Sequence, residues 1–175
     1  MLKNLDLREN EIGDEGAKAL ASALRVNEVL TKIDLTLCGI GDEGAKAIGG
    51  ALAVNGVLKN IDLRGNSLGT EGWCAIFAAL RDNKENKIES WNLSGQGINA
   101  EVAKVLAEYV SVSGVLTNLV LTRNNIGDEG AAALASALRV NEVLTNLVLV
   151  NNDIGDEGAA ALASALRVER GAEKP

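Results

Sequence analysis

The chain has 175 residues, 47% of them hydrophobic, and a net charge of −7. That acidity argues against nucleic acid or an anionic membrane as partner, since both select a basic surface. No apolar run reaches transmembrane length and Met1 leads directly into patterned sequence without a signal peptide, so a reducing, cytoplasmic setting with Cys38 and Cys74 unpaired is expected.

The pattern is a repeat. Units begin at Leu2, Leu30, Leu58, Ile88, Leu116 and Leu144, giving six units over 2–29, 30–57, 58–87, 88–115, 116–143 and 144–171, with a polar tail at 172–175. A fixed period near 28 residues signals one stacked domain in which each unit covers its neighbour's apolar face. The fifth and sixth units differ at only six positions, among them Thr122/Val150 and Arg123/Asn151.

Each unit opens on LxxLxL, as in Leu2-Leu5-Leu7 and Leu30-Ile33-Leu35, which reads as a short strand with one buried face. Three residues on stands Asn10, Cys38, Asn66, Gln96, Asn124 or Asn152. An Asn side chain both donates and accepts, so a stack of them can bridge successive turns of buried backbone; Cys38 and Gln96 should make looser rungs. Gly-Asp-Glu-Gly then recurs at 13–16, 41–44, 127–130 and 155–158, with variants at 69–72 and 99–102. It reads as a helix start, with Asp or Thr capping its own helix and Glu facing the positive end of the dipole. The following helix buries Ala17, Leu20, Ala21 and Leu24 at helical spacing and turns Glu15, Ser22 and Arg25 outward. Asn27, Asn55, Asn83 and Asn141 are expected to close the helices in the left-handed conformation.

Units three and four depart from this scheme. Residues 81–87 add two strongly polar residues before the next strand, where the loop should bulge, and Trp73, Phe77, Trp91 and Tyr109 all fall in these units. Two readings stand for the aromatics: a locally enlarged core, or a binding hot spot. By repeat position Cys38 is expected to be buried and Cys74 more accessible.

The motif LxxLxLxxNxIGxEGAxxLAxAL, carried from Leu2 to Val168, resembles leucine-rich repeats of the ribonuclease-inhibitor type. The resemblance implies an α/β fold: a right-handed solenoid forming a horseshoe arc, with a parallel sheet on the concave side and helices on the convex side. It extends to the repeats of NLR-family receptors and implies a non-catalytic module that binds a protein partner through the concave sheet and adjoining loops. Two alternatives remain open: a GTPase-activating regulator, because Ran GTPase-activating proteins carry similar NxIGxEG segments, and an artificial consensus-built scaffold.

Catalytic machinery is not recognisable in the sequence. The chain has no histidine, and neither a P-loop, a nucleophile elbow, zinc spacing nor an EF-hand loop is present, so no cofactor or metal is expected. The acidic pairs form a row that a divalent cation could approach, but the helix-start reading already accounts for them. Strand alternation turns three columns to the concave side: Asn4, Lys32, Asn60, Ser90, Asn118, Asn146; then Asp6, Asp34, Asp62, Asn92, Val120, Val148; then Arg8, Thr36, Arg64, Ser94, Thr122, Val150. From these, Asp6, Arg8, Asp34, Asp62, Arg64, Asn92, Val120, Thr122, Val148 and Val150, together with Arg123, are the candidate protein-binding residues. Because Leu2 begins a strand at once and the final helix lacks a polar cap, the stack is also expected to associate end to end or to continue in a longer array.

Overall fold

The computed structural model describes residues 1–167; the end of the sixth unit and the polar tail lie outside the described residues. Strand and helix alternate six times: β1 (Asn4–Asp6), α1 (Gly13–Leu24), β2 (Lys32–Asp34), α2 (Asp42–Leu52), β3 (Asn60–Asp62), α3 (Thr70–Asp82), β4 (Ser90–Asn92), α4 (Ala100–Val112), β5 (Asn118–Val120), α5 (Gly127–Leu138), β6 (Asn146–Val148) and α6 (Asp156–Leu166). Strands pair in parallel at the repeat register, Asn4 with Lys32 and Lys32 with Asn60. The strand leucines and the alanine–leucine helix faces meet in one continuous core, in which Ala17, Ile33, Leu35, Ala45 and Ile48 are fully buried. Alanine on the facing sides lets adjacent helices approach closely. Parallel strands still stack about 4.8 Å apart while helices need roughly 8–10 Å, so the stack curves with its strands inside. The architecture is an α/β solenoid.

The strand layer is divided. One sheet runs β1-β2-β3 and another β4-β5-β6, with no strand pairing between β3 and β4. Leu35 and Leu37 donate their amides to Asp62 and Arg64, and Leu93 and Gly95 to Val120 and Thr122, whereas Leu63 and Gly65 find no such acceptor. Only Glu89 N–H to Lys59 C=O, at 3.2 Å, ties the two sheets by backbone. The cause lies in the sequence of units three and four, which alters each of three side-chain ladders that stitch units elsewhere.

The first ladder is the expected one. Asn66 donates to Leu35 and Leu63 carbonyls and accepts from the amides of Cys38 and Ile40; Asn124 repeats this against Leu93, Leu121, Gln96 and Ile98. Cys38 does not loosen its rung, because its Sγ lies 3.2 Å from the Leu7 carbonyl. Gln96 does, reaching only Ser94 in its own unit.

The second ladder corrects the expected left-handed helix ends. Asn27, Asn55, Asn83 and Asn141 do not adopt positive φ. Asn55 donates to Leu24 and Asn27 carbonyls of the preceding unit and accepts from Val57 and Leu58 amides, so its side chain, not its backbone, ends the turn. Asn83 and Asn141 donate in the same way. Unit four has Ser113 at this place, which accepts from Leu116 but is too short to reach unit three.

The third ladder corrects the capping scheme. The acidic residue of Gly-Asp-Glu-Gly does not cap its own helix. Asp14 Oδ1 accepts from Gly41 and Gly44, Asp42 from Gly69 and Gly72, and Asp128 from Gly155 and Gly158, each carboxylate holding the helix start of the next unit. Unit three offers Thr70 instead, which meets Asn99, and Asn99 caps its own helix through Val102 N–H.

What replaces the missing stitches between units three and four is aromatic packing. Trp73 and Phe77 of α3, Trp91 of β4 and Tyr109 of α4 are all buried, with ring centroids 5.6–6.3 Å apart in stacked and edge-on pairs. Asn86, in the polar insertion, donates to the Tyr109 hydroxyl at 3.0 Å. The aromatics are therefore core residues.

Candidate functional site

The concave residues fall into two groups, one on each sheet. On the first, Asp6, Asp34 and Asp62 sit in register across three parallel strands, which would set carboxylates side by side at about 4.8 Å. Each accepts a hydrogen bond from the residue two positions on. Arg8 forks onto Asp6 at 2.8–3.2 Å and also approaches Asp34 at 3.6 Å; Thr36 donates to Asp34; Arg64 forks onto Asp62 at 2.6–3.1 Å. Burial alone would raise the Asp62 pKa, but the Arg64 hydrogen bonds outweigh it and hold the carboxyl below its usual range. The Arg8 hydrogen bonds likewise hold the exposed Asp6 carboxyl below its usual range.

Where the sheets part, a groove of about 220 Å³ opens on the concave side. Asp34, Asp62 and Arg64 line it from the first sheet and Asn92 from the second, so the division of the strand layer brings four of the expected residues to one hollow. Lys32, Asn60 and Ser90 line it too. Alternation had placed these three on the concave face, but nothing in their own column marked them as part of a site; the signal lay in the departures from the repeat at Thr70, Gln96 and Ser113. Beside the groove, Lys59 pairs with Glu89 at 2.7 Å across the gap.

The second group is drier. Val120 and Val148 face each other across β5 and β6 and are half-buried, while Val150 is 55% exposed. Thr122 is half-buried, and Arg123 is exposed on a left-handed backbone with φ of 57°. An amide row from Asn146 through Asn118 to Ser90 ties this sheet's outer column together. Asp6 and Arg8 stand at the far edge of the first sheet and do not join the valines.

The two cysteines behave differently. Cys38 is buried and Cys74 half-buried, and burial followed by the nearby Glu101 raises the Cys74 pKa, keeping it a thiol. Among the described residues no group of three or more acidic, histidine or cysteine side chains is placed to hold a metal.

Two units at each end carry a family signature. A family model described as Leucine Rich repeat matches residues 1–21, 26–49, 115–135 and 140–163, together just over half of the chain. The chain belongs to the leucine-rich repeat family. The matched segments of this leucine-rich repeat chain flank the aromatic units. No curated protein matches the sequence. Among solved structures, the tropomodulin C-terminal domain of Caenorhabditis elegans is similar at a TM-score of 0.54 and 13% identity, over 94% of this chain and 82% of that one. A second, the leiomodin-1 actin-binding site 2, has a TM-score of 0.49 and 20% identity, over 92% of this chain and 78% of that one. At 13% identity the likeness to the tropomodulin domain shows the fold alone.

Proposed function

We propose that the six units act together as a non-catalytic protein-binding domain whose partner lies along the concave face, seated in the groove between β3 and β4. The groove carries this reading: it exposes charged groups fixed by forked hydrogen bonds, with polar side chains on both walls. Preorganised groups lose little entropy on binding, so Arg64 and Asp62 are suited to a complementary ion pair. The half-buried valines of β5 and β6 extend the surface with an apolar patch. Six strands span only about 24 Å, so adjoining loops complete a footprint of standard size.

A protein role agrees with the acidic surface, and none of the described helices is long and apolar enough to cross a membrane. We place the domain in the cytoplasm on the strength of its buried, reduced Cys38. A non-catalytic role is supported by how its carboxylates are used: Asp14, Asp42 and Asp128 hold backbone, and Asp6 and Asp62 hold arginines. A single-turnover assay with Ran tests the enzymatic alternative; acceleration of GTP hydrolysis would overturn the non-catalytic reading.

Site-directed photo-crosslinking tests the surface. A photoreactive residue at position 62 or 148 should capture the same partner from a cell extract, whereas one at position 25 on the convex helices should not. Binding of that partner should then weaken in Arg64→Glu and Val148→Asp. Equal binding by both variants, the parent and an Arg25→Asp control would exclude the concave site.

A further inference from the structure

Both ends of the described stack are open. At the first, Leu2, Leu5, Leu20 and Leu24 line an apolar hollow, and at the last Leu144, Leu147, Leu162 and Leu166 do; Leu2 is 64% and Leu166 80% exposed. Apolar ends alone do not say what covers them. The carboxylate ladder does.

Three junctions are sealed by an aspartate that holds the two glycine amides of the next helix start. The gripped glycines Gly41, Gly69 and Gly155 are extended, with φ of −104°, −85° and −96°. Two Gly-x-x-Gly starts are not gripped, at Gly13 and Gly127, and both take the left-handed conformation, with φ of 61° and 62°. Their amides turn instead to the Cys38 and Asn152 carbonyls of the following unit. Gly127 is ungripped because unit four has Ala100 in the aspartate's place. Gly13 lies in the first described unit, and no aspartate among the described residues grips it. At the opposite end Asp156 occupies the gripping position, exposed and without a hydrogen-bond partner among the described residues.

An unmatched carboxylate at one end thus complements an unmatched helix start at the other, and an anion against a helix N-terminus is favourable in itself. We propose that the last unit of one molecule docks on the first unit of a second copy, head to tail, in the register of one more repeat. Asp156 then accepts from Gly13 and Gly16 of the second copy, and Gly13 leaves the Cys38 carbonyl for the extended conformation. The remaining groups match by the same register. Lys3 and Asn4 amides meet the Thr145 carbonyl as Thr31 and Lys32 meet Lys3, and Asn27 donates to the Leu166 carbonyl as Asn55 does to Leu24. Arg167 reaches Ser22 as Arg139 reaches Ser164. With each unit rotating by about 20–25°, one copy spans roughly 120–150°, so two or three copies complete a turn and the assembly is a small ring or an open filament.

Sedimentation velocity over a concentration series tests this, using variants at exposed positions that leave the core untouched. Leu2→Asp blocks one end and Leu166→Asp the other; circular dichroism confirms that each is folded. The parent should gain mass with concentration, each variant alone should stay monomeric, and an equimolar mixture should form a 1:1 dimer that grows no further. Asp156→Ala should weaken association about tenfold or more. A parent that stays monomeric to about millimolar concentration, a mixture that fails to pair, or a single variant that still associates would each overturn the proposal.

Discussion

The aspartate and glycines of Gly-Asp-Glu-Gly show how one residue type can be required for different reasons in successive repeats. Gly13 needs to be glycine for its positive φ, with open space where a Cβ would go; Gly69 has an ordinary φ, but a Cβ there would lie 2.8 Å from the Asp42 carboxylate. Val102 stands at the second glycine's place only in the unit that follows Thr70, where no carboxylate arrives. Asp42→Ala should therefore cost about 1–3 kcal/mol, the range for losing a charged acceptor of two part-buried amides. Asp156→Ala, chemically the same change, should leave monomer stability within about 0.5 kcal/mol. Urea denaturation at dilute concentration compares the two. Asparagines 124 and 152 diverge in a similar way. Asn124 uses both ends of its amide, whereas the buried Oδ1 of Asn152 has no partner among the described residues. Cys38 occupies the corresponding place in unit two and needs only to donate. Asn152→Cys should hold or raise the denaturation midpoint, while Asn124→Cys should lower stability by about 1–3 kcal/mol.

At the scale of elements, the junction between α3–β3 and α4–β4 exchanges hydrogen bonds for ring packing. Truncating Phe77, which contacts Trp73, Trp91 and Tyr109, should cost about 3–5 kcal/mol by calorimetry or denaturant melt. Amide exchange reads the other side of the same trade: Leu63 and Gly65 should exchange faster than Leu35 and Leu37, their counterparts one unit earlier. Equal protection would show that the strands close in solution. The strands and helices themselves were legible in the sequence, because a period of 28 residues repeats the same apolar pattern and any register error would recur in every unit. The direction of the side chains between units was not. Asp14 at the start of a helix pattern looks like a local cap, and Asn55 after a helix looks like a left-handed end; each is instead spent on the neighbouring unit, about 28 residues away in sequence. Local patterns report local partners, and a stack satisfies its polar groups across the interface.

At the scale of the molecule, the concave columns were placed by alternation, but the groove depended on the sheet dividing, and that goes with altered rungs at Thr70, Gln96 and Ser113, none of which displays an effect on strand pairing by itself. The fixed charges of that groove also set its response to acid. The folded pKa of Asp62 lies below its ordinary value of 3.8, so its contribution to stability is fully present above that pH and is lost as the pH falls through the lowered folded value. Thermal melts should accordingly show no loss from this group between pH 7 and pH 5 and a decline at lower pH, and Arg64→Gln should shrink that decline. A decline of the same size in the variant would remove Arg64 as its cause.

A strip fastened along its outer and middle layers and cut across its inner one is stiff against twisting yet compliant in a single sense of bending. With Trp73, Phe77, Trp91 and Tyr109 acting as the rivet and the seam between β3 and β4 as the cut, the two three-unit halves can change the radius of the arc by opening or narrowing that seam, with the Glu89–Lys59 backbone bond, the Lys59–Glu89 ion pair and the Asn99–Thr70 hydrogen bond to stretch. The radius is then an adjustable quantity, and its control point is the floor of the groove.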